Sequence, residues 1–322
     1  MLYYELIDLS QQITCQAFHI VRSFLKATVR TQIGWHYITD LMWLYSHIKH
    51  WPKSISILDA GEGTGPLQFL LAEMGYNITN VDMNFQKPPP LLRDRYQTIL
   101  NQLKESDTSE SMDFFNYNQQ YGQFFGLKRI VKKFKERVQE NCLLILFYRF
   151  RHNRWRQHFG LSSSQVGKIS WKVGNLCNLN GIPSKSFDAV VSLSALEHIP
   201  MEHLGNALNE IRRVLKDQCY CAITTSATDQ MSTWYHQPSL GYCYTVADVE
   251  KFFQVKSIYP QDPKRIRQKY KKLPLLKRTS CKILFIIRQL RYAIRNMGSK
   301  IYTGWDLPMI HFSKASVTSG II

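Results

Sequence analysis

An apolar stretch beginning at Ser54 runs into three glycines spaced two apart, in Asp59-Ala60-Gly61-Glu62-Gly63-Thr64-Gly65, and Pro66 follows at once. Few local architectures tolerate this pattern. Ser54 to Asp59 reads as a short strand. Pro66 to Met74 reads as a helix, whose first turn suits proline because the missing N–H has no partner there in any case. Glycines between the two let the backbone take positive φ and approach a ligand closely, with free N–H groups at the helix start. The unit predicts an α/β fold, with either a ligand at the carboxyl end of the strand or a plain tight turn there. Two phosphate-binding alternatives fail on spacing. Counted from Gly61, the third glycine of a dinucleotide fingerprint would fall at Pro66. No Gly-Lys-Ser/Thr is present, which excludes a P-loop.

Asn77 to Asp82 reads as the next strand, closed by an acid 17 residues after Gly65. A carboxylate there can accept hydrogen bonds from both hydroxyls of a ribose. The plainer alternative is a solvated strand-end acid or a helix cap. Alternation then stops. Lys87-Pro88-Pro89-Pro90 opens a stretch, about 84–166, that is too long for a simple connection and predicts an insertion with helices of its own. Strands are expected again at Lys168–Val173, Phe187–Leu193 and Tyr220–Thr225, with a helix at Met201–Leu215. A helix starting near Val246 has Thr245 as N-cap and Asp248 in a capping box. Gln254–Tyr259 and Met309–Ser316 read as the last strands, separated by a basic insertion at about 261–305. Ahead of all this, Leu6, Leu9, Ile13, Ala17, Ile20 and Phe24 recur at helical spacing, and Tyr37–Ile48 reads as a second helix. Residues 1–52 are thus expected to form an N-terminal helical cover, and 53–322 the main domain.

Charge is localised. The net charge is +17, but 127–160 carries 10 Lys/Arg against 2 acids, and 264–300 carries 13 Lys/Arg and no acid, so the remainder nets −4. The basic character belongs to the two insertions. The seven cysteines lack C-x-x-C spacing, which argues against a zinc site or disulfide framework; no metal is expected. Glu5 and Asp8 interrupt any signal-peptide pattern, and the longest apolar runs are too short to span a bilayer. The expectation is a cytoplasmic protein, with peripheral membrane contact left open.

The run Ile57-Leu58-Asp59-Ala60-Gly61-Glu62-Gly63-Thr64-Gly65 resembles motif I of the class I S-adenosylmethionine-dependent methyltransferases. Further matches follow in order: Val173-Gly174-Asn175-Leu176, Ile182-Pro183, Ser186-Phe187-Asp188-Ala189-Val190-Val191-Ser192, Leu196-Glu197-His198-Ile199 and Glu210 to Lys216. Together they are similar to the small-molecule group that includes ubiquinone and menaquinone biosynthesis enzymes. The resemblance covers 54–83 and 168–259 and implies a Rossmann-like, doubly wound, mostly parallel seven-stranded sheet. It implies S-adenosyl-L-methionine as cofactor, with Asp59, Gly61, Gly63 and Gly65 around its methionine part and Asp82 on its ribose. Asn175 stands where relatives often carry an acid facing the adenine amino group, and its amide oxygen can accept the same bond. Leu176 would pack on the ring; Ser192 and Leu193 would line the floor beneath the sulfonium. Asp217-Gln218 departs from the family's Pro-Gly turn, a difference of loop geometry.

An oxygen acceptor would need a base, and an amine must lose its proton before it reacts. His198 is the nearest candidate, although packing and capping of the next helix explain it as well. His203, Tyr235 and His236 are further candidates, and Glu197 is expected to support a helix start. The Asn/Asp-Pro-Pro-Tyr of nucleobase amine methylation and the Pro-Cys of cytosine carbon methylation are both absent. A small or lipid-like acceptor, methylated on O or N, is therefore the leading expectation. Alternatives are an RNA methyltransferase whose basic insertions hold phosphates, and a non-catalytic partner module that keeps the fold. The basic segment around Ile283, Ile286, Ile287, Leu290 and Ile294, flanked by Arg288, Arg291 and Arg295, suits a lid helix, an anionic-lipid contact or an RNA contact.

Overall fold

The computed structural model describes residues 2–6, 16–27, 35–61, 65–83, 95–96, 99–102, 142–161, 165–237, 240–257, 262, 265 and 312–319. The strands are β1 (Leu2–Leu6), β2 (Ser56–Ala60), β3 (Asn77–Asp82), β4 (Ile99–Gln102), β5 (Ile169–Val173), β6 (Phe187–Leu193), β7 (Leu215–Thr228), β8 (Trp234–His236), β9 (Gly241–Cys243), β10 (Lys256–Ser257) and β11 (Phe312–Ser319). The helices are α1 (Gln16–Ala27), α2 (Trp35–Ile48), α3 (Pro66–Glu73), α4 (Cys142–His158), α5 (Met201–Val214) and α6 (Val246–Phe253).

Strands β2 and β6 are buried on both sides, as the middle of a parallel sheet requires. Along β2, Ile57 faces one core and Leu58 the other. Along β6, Ala189, Val191 and Leu193 join the first core and Val190 the second. The first core holds α1, α2, α3 and Trp155 of α4; the second holds α5 and α6, through Leu204, Leu208, Ile211, Val249 and Phe253. Helices therefore cover both faces.

The order is β10-β1-β11-β7-β6-β2-β3-β5-β4. All neighbouring pairs are parallel except those of β11, which runs antiparallel to β7 and β1. From β2 the chain winds outward through β3 to β5; from β6 it winds the other way to β7. Between β2 and β6 lies the reversal point, where open α/β sheets bind ligands beyond the carboxyl ends of their strands.

The sheet differs from the seven-stranded expectation: it has nine strands among the described residues. One added strand is β4, an edge strand from the first insertion, parallel to β5. The other is β1, which slots between β10 and β11. Leu6 belongs to this strand; Leu9 and Ile13 lie outside the described residues, and α1 is described from Gln16. Leu2, Tyr4 and Leu6 alternate with Tyr3 and Glu5, so the segment has a strand period too, and tertiary pairing decides between the two readings. The last strand sits three residues later than expected, at Phe312–Ser319. Apart from Asp262 and Arg265, the second basic insertion, including the stripe from Ile283 to Ile294, lies outside the described residues.

The first insertion is fastened by one buried carboxylate. Glu73, at the end of α3, accepts hydrogen bonds from Arg95 Nε at 2.5 Å, Arg95 Nη2 at 2.9 Å and Tyr96 OH at 2.8 Å. His152 Nδ1 stands 3.3 Å from the same carboxylate, and Arg156 Nη1 donates to the Glu73 carbonyl at 2.5 Å. Burial pushes the Glu73 carboxyl up, but the hydrogen bonds and charge of Arg95 more than offset this and hold it below the usual range. Burial also pushes the His152 imidazole down to about 4, so it is neutral at pH 7. On the same face of α4, Trp155 packs on Phe24 and donates to Ser23 Oγ at 3.1 Å, joining the insertion to α1.

Candidate active site

The glycine turn leaves β2 between two partners from other strands. Asp59, fully buried, accepts a hydrogen bond from Asn80 Nδ2 at 3.0 Å, across the register that pairs the two residues on β2 and β3. Gly61 then takes φ +90° and donates its N–H to the Val81 carbonyl at 3.0 Å. A Cβ on Gly61 would stand 2.8 Å from Ala195 Cβ and 3.3 Å from Leu176 Cδ1. Backbone angle and close approach both demand glycine here. Glu62, Gly63 and Thr64 lie outside the described residues, so the expectation for Gly63 does too. Gly65 is the N-cap of α3, with Pro66 next, and no side chain caps the helix.

Asp82 ends β3 half-buried, and its carbonyl accepts from Gly174 N–H at 3.1 Å. That bond and the Asp82–Val173 register bring the segment after β5 beside the turn. Asn175 is half-buried, and its Oδ1 accepts the Cys177 N–H at 2.9 Å in a local turn. One lone pair of that oxygen is thus engaged within the chain, and a second remains by its chemistry. Leu176 is buried against Gly61 and the second core.

Ser192 and Leu193 are both buried in the sheet. Ser192 Oγ donates to the Ala60 carbonyl at 2.8 Å, tying β6 to the residue before the glycine turn. Leu193 packs in the first core. The chain leaves β6 through Ser194, at φ +51°, whose N–H donates to the Thr224 carbonyl at 3.0 Å. Ser194 Oγ donates to Asp40 Oδ2 of α2 at 2.8 Å.

Beyond Ala195, a single 3-10 turn spans Leu196–His198. Glu197 is buried and clamps β7: its carboxylate accepts from Ser226 N–H at 2.5 Å and Ser226 Oγ at 2.8 Å. His198 is exposed, with Nδ1 2.8 Å from the Leu240 carbonyl and its ring over Gly241. A carbonyl only accepts, so Nδ1 carries the hydrogen, and in the neutral ring Nε2 then holds the lone pair. The β8–β9 hairpin thereby holds a potential base one short turn from the residue packed on the glycine turn. His203 is exposed on α5, His236 is buried, and Tyr235 is exposed and stacks edge-on to Tyr242 at 5.0 Å.

The structure thus gathers Gly61, Asp82, Asn175, Leu176 and the start of the Leu196–His198 turn at the carboxyl ends of β2, β3, β5 and β6. These residues suit an adenosyl ligand: a half-exposed carboxylate for hydroxyls, an amide oxygen for an exocyclic amine, and an apolar side chain beside a glycine. Sequence reasoning missed Asp40, Ser194 and Ala195. A lone acid inside Ile38-Thr39-Asp40-Leu41-Met42-Trp43-Leu44 is the signal that could have found the first, since such an acid is buried only with a partner. Among the described residues no group of three or more His, Cys, Asp or Glu could hold a metal ion, and no helix is long and apolar enough to cross a membrane.

A family model described as a methyltransferase domain matches residues 150–223, less than half of the chain. The match takes in the end of α4, β5, β6, α5 and part of β7, with Asn175, Leu176 and His198 inside it and the glycine turn outside. No curated protein matches the chain. Among solved structures, 1,6-didemethyltoxoflavin-N1-methyltransferase from Burkholderia thailandensis shares 12% identity, with 94% of this chain and 86% of that one covered and a TM-score of 0.41. Geranyl diphosphate C-methyltransferase from Streptomyces coelicolor A3(2) shares 11%, with 87% and 78% covered and a TM-score of 0.41. A SAM-dependent methyltransferase from Methanosarcina mazei shares 16%, with 65% and 82% covered and a TM-score of 0.37.

Proposed function

We propose, from the premise that this chain carries a class I S-adenosylmethionine-dependent methyltransferase domain, that it transfers a methyl group to an oxygen or nitrogen of a small or lipid-like metabolite. The observation that supports the reading best is the meeting of Gly61, Asp82 and Leu176 at the sheet's reversal point. In this reading Asp82 binds the ribose hydroxyls, Asn175 Oδ1 takes the adenine amino group, and Leu176 lies along the ring. Asp59 and the glycine turn hold the methionine part; Ser192 supports that turn through Ala60 rather than by contact. When bound, S-adenosylmethionine supplies an electrophilic methyl group. What the chain must add is alignment of the acceptor lone pair and removal of its proton. In this reading His198 Nε2 takes that proton, which is supported by the Leu240 carbonyl holding the ring through Nδ1 at 2.8 Å.

A second reading concerns where the acceptor is met. The inner face of α4 is pinned to the domain, while Arg149, Phe150 and Arg154 face outward, with Phe150 62% exposed. An apolar ring between cations on a helix free of acids suits an anionic lipid surface. One experiment sorts these options: incubate the protein with cofactor carrying a labelled methyl group and fractionated cell extract. Label in the small polar or the lipid fraction supports the proposal. Label in RNA alone, with binding that weakens steeply in salt, would replace it with the RNA alternative.

A further inference from the structure

Asp40 is the only acid of α2, and it is fully buried where that helix crosses the carboxyl end of β6. Its Oδ2 accepts the Ser194 hydroxyl at 2.8 Å. Ser194 is a non-glycine residue at φ +51°, a conformation that side chains adopt only when their surroundings impose it. A neighbouring strand and a helix impose it here. The Ser194 N–H meets the Thr224 carbonyl at 3.0 Å and its hydroxyl oxygen at 3.2 Å, and the Ser194 side chain meets Asp40. The next residue, Ala195, carries the Cβ that a side chain on Gly61 would meet at 2.8 Å, and its carbonyl accepts the His198 N–H at 3.0 Å. One unbroken path of contacts therefore runs from the cover helix through Ser194 and Ala195 to the glycine turn in one direction and to His198 in the other.

We propose that Asp40 is a positioning residue of the methyl-transfer site. By holding Ser194 in its left-handed conformation it keeps Ala195 against Gly61 and sets the start of the turn that carries His198. It touches neither cofactor nor acceptor and acts through the Ser194 backbone. The inference rests on the reading of the Gly61 turn as the cofactor cradle.

The plain alternative is that Asp40 merely glues α2 to the sheet. In that case its loss lowers the melting temperature and leaves ligand affinity of the folded protein unchanged. Titration calorimetry with S-adenosylhomocysteine, run well below each variant's unfolding temperature, separates the two. Asp40→Ala and Ser194→Ala should each weaken binding about tenfold, and the double variant should be no weaker than either single one, because both break the same link. Asp40→Asn, which keeps an acceptor oxygen, should stay within about threefold of the wild type. Glycine takes positive φ without help, so adding Ser194→Gly to Asp40→Ala should restore most of the lost affinity. Wild-type affinity in Asp40→Ala, or losses that sum in the double variant, overturns the proposal. If Asp40→Ala does not fold, Ser194→Ala against Ser194→Gly decides it: equal losses in both refute a role for the backbone conformation. A wild-type protein that binds no S-adenosylhomocysteine sinks the cradle reading and this inference together, whereas the outcomes above sink this inference alone.

Discussion

A methyl group on Gly61 would meet Ala195 Cβ at 2.8 Å, on a backbone already at φ +90°. Gly61→Ala should therefore cost about 2–4 kcal/mol, combining left-handed strain with overpacking. Denaturant melts check the value, and a variant as stable as the wild type would contradict the geometry. Such residues were legible because their demands are local: a turn that needs positive φ announces itself as glycine, and Asp82 marks the end of a short strand. Asp40 and Ser194 were not, since nothing in the spacing of either segment says that a helix from the N-terminal region crosses the end of β6. Ser192 was expected beneath the sulfonium; its hydroxyl serves the Ala60 carbonyl, a pairing made across 132 positions of sequence.

At the scale of elements, the insertion is held by Glu73. Removing Glu73 leaves Arg95 and Arg156 facing a buried gap, and breaking a buried ion pair from one side costs about 3–5 kcal/mol. Glu73→Leu should therefore destabilise by that order, and limited proteolysis should cut first within the insertion; cutting elsewhere at unchanged stability would refute the anchor. His152 gives this joint a pH dependence. Its pKa in the fold, about 4, lies below its ordinary value, because burial disfavours the charged ring. The unfolded chain binds the proton more readily, so this contribution is whole above about pH 6.5 and fades as pH falls from there towards 4. The loss amounts to about 3 kcal/mol, and Glu73, whose pKa is also depressed, adds its own loss at lower pH. Stability measured between pH 7 and 4.5 should slope downward in the wild type and less so in His152→Gln; parallel slopes would rule His152 out. The N-cap of helix α6, by contrast, was legible: Thr245 Oγ1 accepts the Asp248 N–H at 3.1 Å. The other half of the expected capping box is not made, because the Thr245 N–H goes to Thr233 Oγ1 at 3.0 Å and Asp248 accepts the Thr245 hydroxyl instead. Strand β1 was misread because five residues satisfy two periods at once.

For the whole molecule, what matters is that the chain winds outward from β2 in one direction and from β6 in the other. The alternating units made the doubly wound sheet legible, whereas the pairing of β1 between β10 and β11, and of β4 with β5, is settled only by long-range packing. The reversal point brings Gly61, Asp82, Leu176 and Ala195 together from four strand ends, and the account stands on that crevice accepting an adenosyl ligand. Its most direct test is titration calorimetry of the wild type and Asp82→Ala with S-adenosylhomocysteine. The prediction is one site per chain in the wild type and affinity weaker by about 100-fold in the variant, as expected for two lost charge-assisted hydrogen bonds. No binding heat in the wild type, or equal affinity in the two proteins, would contradict it.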